Sequence, residues 1–237
     1  QRLLRRLYDH GYLERVFLPI RVLGSNSPYY YYILDKNGIE LLRNQGCTQL
    51  IQPPTKSPSP YFLEHTNAIN NFRLTVQLAA QAEDWQIGRW LTEKEIKADY
   101  DRVTVSGKSK KVPVVPDGYF NLTGAAQVSG HFFLELDRGT MKLKLFQEKV
   151  EAYVAYYKSG EYARRYGADG FRVLTVVSGV GRNRVNHLAE ISAKVPGIGR
   201  RFWFTHLDQV TPRSFALDPI WKIAGDQRLQ ALFGEKQ

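Results

Sequence analysis

A proline-rich segment divides the chain into two parts. Residues 52–60 read Gln-Pro-Pro-Thr-Lys-Ser-Pro-Ser-Pro, which places four prolines in nine positions. Proline lacks a backbone N–H and has a restricted φ, so such a run cannot continue a helix or a central strand. We therefore predict a linker at 52–60 between an N-terminal domain, residues 1–51, and a larger domain, residues 61–237.

The sequence before the linker has the pattern of the second half of a winged helix. Residues 2–10 carry leucines at helical spacing, and the runs 12–22 and 28–34 have strand-like composition. The Gly-Ser-Asn-Ser stretch at 24–27 is a turn signal between the two runs, and a short helix is predicted at 39–44. This order of helix, hairpin and helix indicates a partial winged-helix DNA-binding domain.

Three arginines lie on the first predicted helix. A complete winged helix has two earlier helices, which we expect upstream of Gln1. Arg2, Arg5 and Arg6 fall largely opposite the leucine face, and we interpret them as DNA-binding residues. The alternative is the ordinary solvated face of an amphipathic helix.

Three carboxylates fall on two strand-like runs beyond the linker. Asp117 lies in Val-Pro-Asp-Gly-Tyr-Phe, and Glu135 and Asp137 lie in Phe-Phe-Leu-Glu-Leu-Asp-Arg. Side chains alternate across a strand, so Phe133, Glu135 and Asp137 share one face. A buried carboxylate is costly unless it is paired or bound to a metal, and Mg²⁺ prefers oxygen ligands. The pattern indicates either a divalent-metal site on a central strand or an edge strand with two acids on its wet face.

The larger predicted domain has the element order α-β-β-β-α-β-α-β. Its helices are predicted at 63–82, 141–166 and 184–193, and its strands at 88–96, 112–122, 131–138, 171–177 and 201–207. Strands that alternate with helices in this way predict an α/β (α+β) fold built on a mixed sheet.

Two further patterns are interpreted as structural. Glu93 and Glu95 fall on one face of the first strand predicted in this domain, where alternating Glu-Lys-Glu usually marks a wet strand. Residues 179–184, Gly-Val-Gly-Arg-Asn-Arg, follow a predicted strand and open a helix, which could cradle a phosphate. They lack a full dinucleotide or P-loop pattern, so we predict a turn with surface arginines there.

The element order and the acids together resemble the PD-(D/E)xK nuclease superfamily. Pro116-Asp117 matches the first motif of that superfamily, and residues 135–137, Glu-Leu-Asp, occupy the position of its (D/E)xK motif. Asp137 stands where the motif has its lysine. The resemblance implies a restriction-endonuclease-like mixed sheet flanked by helices, with Mg²⁺ or Mn²⁺ held by Asp117, Glu135 and Asp137 and by the Leu136 carbonyl.

In that superfamily the lysine can migrate to the following helix. Lys149 and Tyr153 are four residues apart and resemble the Q-x-x-x-Y helix motif of RecB-like members. The resemblance thus implies that Lys149 is catalytic and orients the attacking water or the scissile phosphate. Three other basic residues remain alternatives for this role: Arg138, Lys142 and Lys144.

Nearly the whole chain resembles the replication-relaxation family of plasmid and mobile-element proteins. The most specific part is the stretch 135–140, Glu-Leu-Asp-Arg-Gly-Thr, with its downstream lysine and tyrosine. This similarity implies a role in plasmid replication and in relaxing supercoiled DNA. Relaxation implies either metal-dependent nicking by this protein or recruitment of a replication or relaxase partner that nicks.

The charge of the chain agrees with a polyanionic partner. Lysine and arginine total 33 against 23 acidic residues, which gives a net charge of +10. We interpret Lys108, Lys110 and Lys111 as a DNA-binding loop. The single cysteine, Cys47, excludes an intramolecular disulfide framework. Without a signal peptide or an apolar spanning run, we expect a cytoplasmic protein that has no membrane partner.

Two non-catalytic functions compete with the nuclease hypothesis. The chain could be a winged-helix regulator whose degenerate nuclease core serves for homodimerisation or protein contacts. It could also be a scaffold that recruits a separate relaxase. Salt-sensitive DNA binding is expected from the nuclease and the regulator alike. A dependence of DNA cleavage on a divalent metal would separate the enzyme from both alternatives.

Overall fold

The computed structural model describes residues 2–18, 29–47, 59–124 and 129–233. The chain divides into two compact units, residues 1–66 and residues 67–237. The predicted linker at 52–60 lies almost entirely outside the described residues, so that boundary stays a prediction. No helix in the described part of the chain combines the length and apolar character that crossing a bilayer requires.

The smaller unit contains the predicted helix, hairpin and short helix. Its elements are α1 (Arg2–Asp9), β1 (Leu13–Leu18), β2 (Tyr29–Leu34) and α2 (Lys36–Asn44). The two strands pair antiparallel, from Leu13 with Leu34 to Leu18 with Tyr29. The predicted turn at 24–27 lies outside the described residues.

The second helix begins earlier than the predicted range 39–44. Asp35 is its N-cap, and the Asp35 carboxylate accepts a hydrogen bond from the Lys36 N–H at 2.6 Å. Gly38, in its first turn, lies so close to the chain that an added Cβ would sit 2.2 Å from the Tyr12 carbonyl oxygen. Gly38 is therefore required for close packing of α2 against the backbone at Tyr12.

The larger unit is built on one mixed sheet. The boundary between the two units falls within α3 (Pro60–Ala82). The other elements of the larger unit are β3 (Gln86–Thr92), α4 (Glu93–Ala98), β4 (Arg102–Val103), β5 (Val112–Pro113), β6 (Gly118–Thr123), β7 (Ser129–Asp137), α5 (Leu143–Ser159), α6 (Glu161–Tyr166), β8 (Arg172–Val177), α7 (Asn183–Ala193), β9 (Phe202–His206), α8 (Ser214–Leu217), β10 (Trp221–Ile223) and β11 (Leu229–Gln230). Seven strands have the order β11-β10-β9-β8-β7-β6-β3. Strands β3, β6 and β7 pair antiparallel, whereas β7, β8 and β9 pair parallel. The predicted α+β class is confirmed.

Helical residues cover both faces of this sheet. On one face, Phe72 and Val76 of α3 join a core with the even-numbered residues of β7, Phe132, Leu134 and Leu136. On the other face, residues of α5 and α7 pack with Phe133, as alternation along β7 requires. The predicted common face of Phe133, Glu135 and Asp137 is thus the face that α5 and α7 cover.

Three predicted elements are divided in the structure. The predicted strand 88–96 ends at Thr92, which caps α4 through a capping box with Glu95, so Glu93 and Glu95 lie on a helix instead of a strand. The predicted strand 112–122 is split into β5 and β6. The predicted helix 141–166 breaks at Gly160, whose φ of 71° is left-handed and ends α5.

Candidate active site

Two carboxylates meet where β6 begins and β7 approaches its end. Gly118 pairs with Leu134 in antiparallel register, so Asp117 comes opposite Glu135 one residue further along. The Asp117 N–H donates to the Leu134 carbonyl at 3.0 Å, and the Leu136 N–H donates to Asp117 Oδ2 at 2.7 Å. These bonds fix the backbone and the carboxylate of Asp117 beside Glu135.

Two residues of α5 bind Glu135. Lys149 and Tyr153 lie one turn apart on the helix face that packs on the sheet. Lys149 Nζ donates to Glu135 Oε2, and the Tyr153 hydroxyl donates to Oε1. The Glu135 side chain is 7% exposed and the Lys149 side chain 26% exposed. Both carboxylate oxygens are thus satisfied, and the lysine is the member of the pair that solvent reaches.

Burial and neighbouring charges control protonation in this cluster. Burial raises the pKa of Glu135 to about 7; Lys149 opposes this rise and the Asp117 charge adds to it. Burial alone would lower the pKa of Lys149, but the charges of Glu135 and Asp117 raise it. Burial also raises the pKa of Tyr153 well above its usual value. At neutral pH the lysine therefore stays charged, and the tyrosine stays a hydrogen-bond donor.

Asp137 is bound by an arginine that the sequence prediction placed on the surface. Arg184 Nε donates to Asp137 Oδ1 and Arg184 Nη2 to Oδ2, both at 3.0 Å. The Gly139 N–H donates to Oδ1 at 2.8 Å, and Arg184 Nη2 also donates to the Met141 carbonyl at 2.6 Å. The Asp137 side chain is 4% exposed and that of Arg184 15%. The prediction of surface arginines at 179–184 is therefore wrong for Arg184.

The topology explains why this arginine reaches the acids. Strands β7 and β8 are parallel, and Val177 at the end of β8 pairs with Asp137. Helix α7 begins at Asn183, shortly after β8 ends, so its first turn lies at the sheet edge where β7 ends. A basic residue in the first turn after a parallel strand is the sequence signal that could have indicated Arg184.

The cluster offers oxygen ligands of the kind that Mg²⁺ and Mn²⁺ accept. Asp117, Glu135 and the Leu136 carbonyl would be the ligands, and Mg²⁺ commonly binds through only one or two carboxylates. The Asp117 charge that raises the pKa of Glu135 is the repulsion that a divalent cation would relieve. These residues therefore fit a divalent metal.

The third predicted ligand is placed differently. Both oxygens of Asp137 accept hydrogen bonds from Arg184, so a cation already compensates its charge. Among the described residues, no group of three or more His, Cys, Asp or Glu side chains is arranged to hold a metal ion. The carboxylates that fit a divalent metal are thus Asp117 and Glu135, and a metal-binding role of Asp137 stays a prediction.

A pocket of about 320 Å³ opens beside Lys149. Its lining includes Lys108 of the predicted DNA-binding loop, whose ammonium bonds Glu148 Oε2 at 2.7 Å. Lys110 and Lys111, in the same loop, are exposed. Lys108 of the predicted loop therefore lines the same pocket as Lys149.

Lys149 is the predicted catalytic lysine that contacts Glu135. Lys142 is the exposed N-cap residue of α5, and Lys144 lies exposed in its first turn. Lys149, one to two turns further along the helix, is the lysine that α5 directs at the sheet.

A protein-family model described as replication-relaxation matches residues 1–170. The chain belongs to the replication-relaxation family. The match includes Asp117, Glu135, Asp137 and α5, and it ends before Arg184. No curated protein and no solved structure matches the chain. Membership suggests a role in replication or relaxation of plasmid or mobile-element DNA.

In this replication-relaxation protein, the predicted DNA-binding arginines lie on α1 of the smaller unit. Arg2, Arg5 and Arg6 are all exposed. Arg5 Nε lies 3.9 Å from Asp9 Oδ2, one turn further along the helix. Exposure is what contact with phosphates requires, and DNA binding by these residues stays a prediction.

Proposed function

We propose that this protein is a Mg²⁺- or Mn²⁺-dependent DNA phosphodiesterase that nicks DNA during replication or relaxation of a plasmid or mobile element. The observation that carries this proposal is the placement of Asp117 opposite Glu135, with Lys149 and Tyr153 both bonded to Glu135. Two carboxylates beside one partly exposed lysine are suited to phosphodiester hydrolysis.

Each member of the cluster has a separate task. Asp117 and Glu135 would hold the cation, which would supply positive charge to polarise the scissile phosphate and to lower the pKa of a water. Tyr153 fixes the orientation of the Glu135 carboxylate through its hydroxyl. Lys149 lines the pocket and is positioned to donate to a phosphate oxygen or to orient the attacking water.

The arginine that binds Asp137 acts as a positioning residue in this proposal. Its guanidinium links β7, the start of α7 and the Met141 carbonyl just before α5. The link holds the end of β7 against the helix that carries Lys149. Asp137 would then contribute through Arg184, and Asp117 and Glu135 would be the two metal-binding carboxylates.

DNA reaches this site through basic surfaces. The net charge of +10 favours a polyanion, and the loop with Lys108 borders the pocket at Lys149. The arginines of α1 would provide additional phosphate contacts from the smaller unit. Phosphate contacts release counterions, so binding should weaken steeply as salt increases.

One observation favours a non-catalytic function as the second candidate. Both oxygens of Glu135 already accept hydrogen bonds, and an aspartate occupies the usual lysine position of the motif. A cluster closed in this way could be purely structural, in a DNA-binding regulator or in a scaffold that recruits a relaxase. In that case a dimer or a replication partner would carry the function.

The test is conversion of supercoiled plasmid to nicked circles in Mg²⁺ or Mn²⁺. We expect nicking by the wild type and loss of nicking in Asp117→Asn, in Glu135→Gln and in EDTA. Glu190→Gln is the matched control, because Glu190 is exposed on α7 and lies outside the pocket at Lys149. Intact plasmid with the wild type in both metals, under conditions where it binds, would favour the regulator.

A further inference from the structure

A second pocket lies at the opposite end of the sheet from the carboxylates. Its volume is about 670 Å³, and its lining includes His131 on β7, Arg172 at the start of β8 and Arg200 and Arg201 just before β9. The acids lie near the other end of β7. From His131 to Glu135 the strand rises about 13 Å. Asp117, Glu135 and Lys149 are not among the lining residues, so this pocket is separate from the candidate active site.

Neutral groups hold two of the arginines in this pocket. Arg172 Nη1 donates to the Leu232 carbonyl at 2.6 Å, and its guanidinium lies 4.8 Å from the centre of the Trp203 ring. Arg201 lies 3.4 Å from the centre of the Tyr157 ring, and its Nη1 donates to the Ile198 carbonyl at 3.1 Å. Among the described residues, neither arginine has a carboxylate partner. Their positions are fixed, but their charges are not neutralised.

The acidic groups near the pocket compensate only part of this charge. Arg200 Nη1 lies 3.2 Å from Asp226 Oδ2, and Asp169 is the acidic residue in the lining. Burial lowers the pKa of Arg172, and the positive charge of Arg200 lowers it further. Like charges held near one another are stabilised when an anion binds between them.

We propose that this pocket binds the phosphate of a nucleotide unit. Guanidinium groups bind phosphate oxygens through paired hydrogen bonds, and fixed arginines lose little entropy on binding. Tyr157, 36% exposed beneath Arg201, offers aromatic surface for a base. The volume is in the range of small-ligand sites. The unit is either a free nucleotide or part of a single DNA strand.

Binding of three probes distinguishes a free nucleotide from a single DNA strand as the ligand. Thymidine monophosphate, a single-stranded oligothymidylate and inorganic phosphate would each be titrated in EDTA, with the oligonucleotide followed by fluorescence anisotropy and the small probes by calorimetry. We expect saturable binding of at least one thymidine probe that is tighter than binding of phosphate. Equal affinity for both thymidine probes assigns a free nucleotide, and preference for the oligonucleotide assigns a strand.

Charge-matched variants test the location. Arg200→Gln and Arg201→Lys should each weaken binding at least about fivefold, because one removes a charge and the other removes the planar fork. Arg213→Gln removes an equal charge at an exposed position outside the lining and should leave binding unchanged. Equal losses in all three variants, or no saturable binding of any probe by the wild type, would overturn the proposal.

The result does not depend on the proposed nuclease function. Glu135→Gln should bind the thymidine probes as tightly as the wild type, because Glu135 is outside this pocket. Loss of nicking without loss of probe binding would leave the pocket proposal intact. Loss of probe binding in Arg200→Gln with nicking retained would leave the metal site intact.

Discussion

Replacing Arg184 by methionine should destabilise the larger unit strongly. The change removes both hydrogen bonds to Asp137, each 3.0 Å long, and the bond to the Met141 carbonyl. Asp137, with a side chain only 4% exposed, would keep the Gly139 N–H as its donor at 2.8 Å. Breaking a buried ion pair by removing one partner costs about 3–5 kcal/mol. We expect a loss of this size in the free energy of unfolding.

Urea denaturation followed by tryptophan fluorescence measures this loss. Arg182→Met is the matched control, because Arg182 is exposed two residues earlier, and its cost should stay within about 0.5 kcal/mol. The double variant Asp137→Asn/Arg184→Met should recover part of the stability, since it no longer leaves a buried charge unpaired. If Arg184→Met costs no more than Arg182→Met, the structural role assigned to Arg184 is refuted.

Three further predictions concern single groups. Tyr153→Phe removes the hydroxyl that donates to the buried Glu135 carboxylate. In urea denaturation this should lower the free energy of unfolding by about 1.5–3 kcal/mol, and no measurable change would contradict that hydrogen bond. Burial lowers the pKa of His131 in the folded protein, so the unfolded chain takes up a proton more readily. The free energy of unfolding should therefore fall as pH drops below about 6.5. His131→Gln should show a smaller fall than the wild type, and equal falls in the two proteins would exclude this contribution. Thr92→Ala removes the capping box with Glu95 and should lower the free energy of unfolding by about 0.5–2 kcal/mol in the same assay. An unchanged free energy of unfolding would contradict a stabilising role of this cap.

Local periodicity predicted much of the candidate site. Alternation along β7 correctly placed Phe133, Glu135 and Asp137 on one face, because a strand buried on both faces has few other ways to orient its side chains. Helical spacing correctly paired Lys149 with Tyr153. These relations involve neighbours along one element, so the sequence contains them directly.

Relations between distant elements could not be predicted in the same way. Arg184 and Asp137 are 47 residues apart, and their contact depends on the parallel pairing of β7 with β8. The short strands β10 and β11 have no sequence pattern of their own. They are defined by pairing, β10 with β9 and β11 with β10. Thr92 and Glu95 carry a capping signal, but the alternating Glu-Lys-Glu that follows Thr92 fits both a wet strand and the first turn of a helix.

A titration with Mn²⁺ shows whether Asp117 and Glu135 together hold a divalent cation. Titration followed by electron paramagnetic resonance would compare the wild type, Asp117→Asn, Glu135→Gln and the control Glu190→Gln. We predict saturable binding by the wild type and the control, and loss of that binding in either of the other two variants. Equal binding by all four proteins, or no saturable binding by the wild type, would mean that Asp117 and Glu135 do not form a metal site.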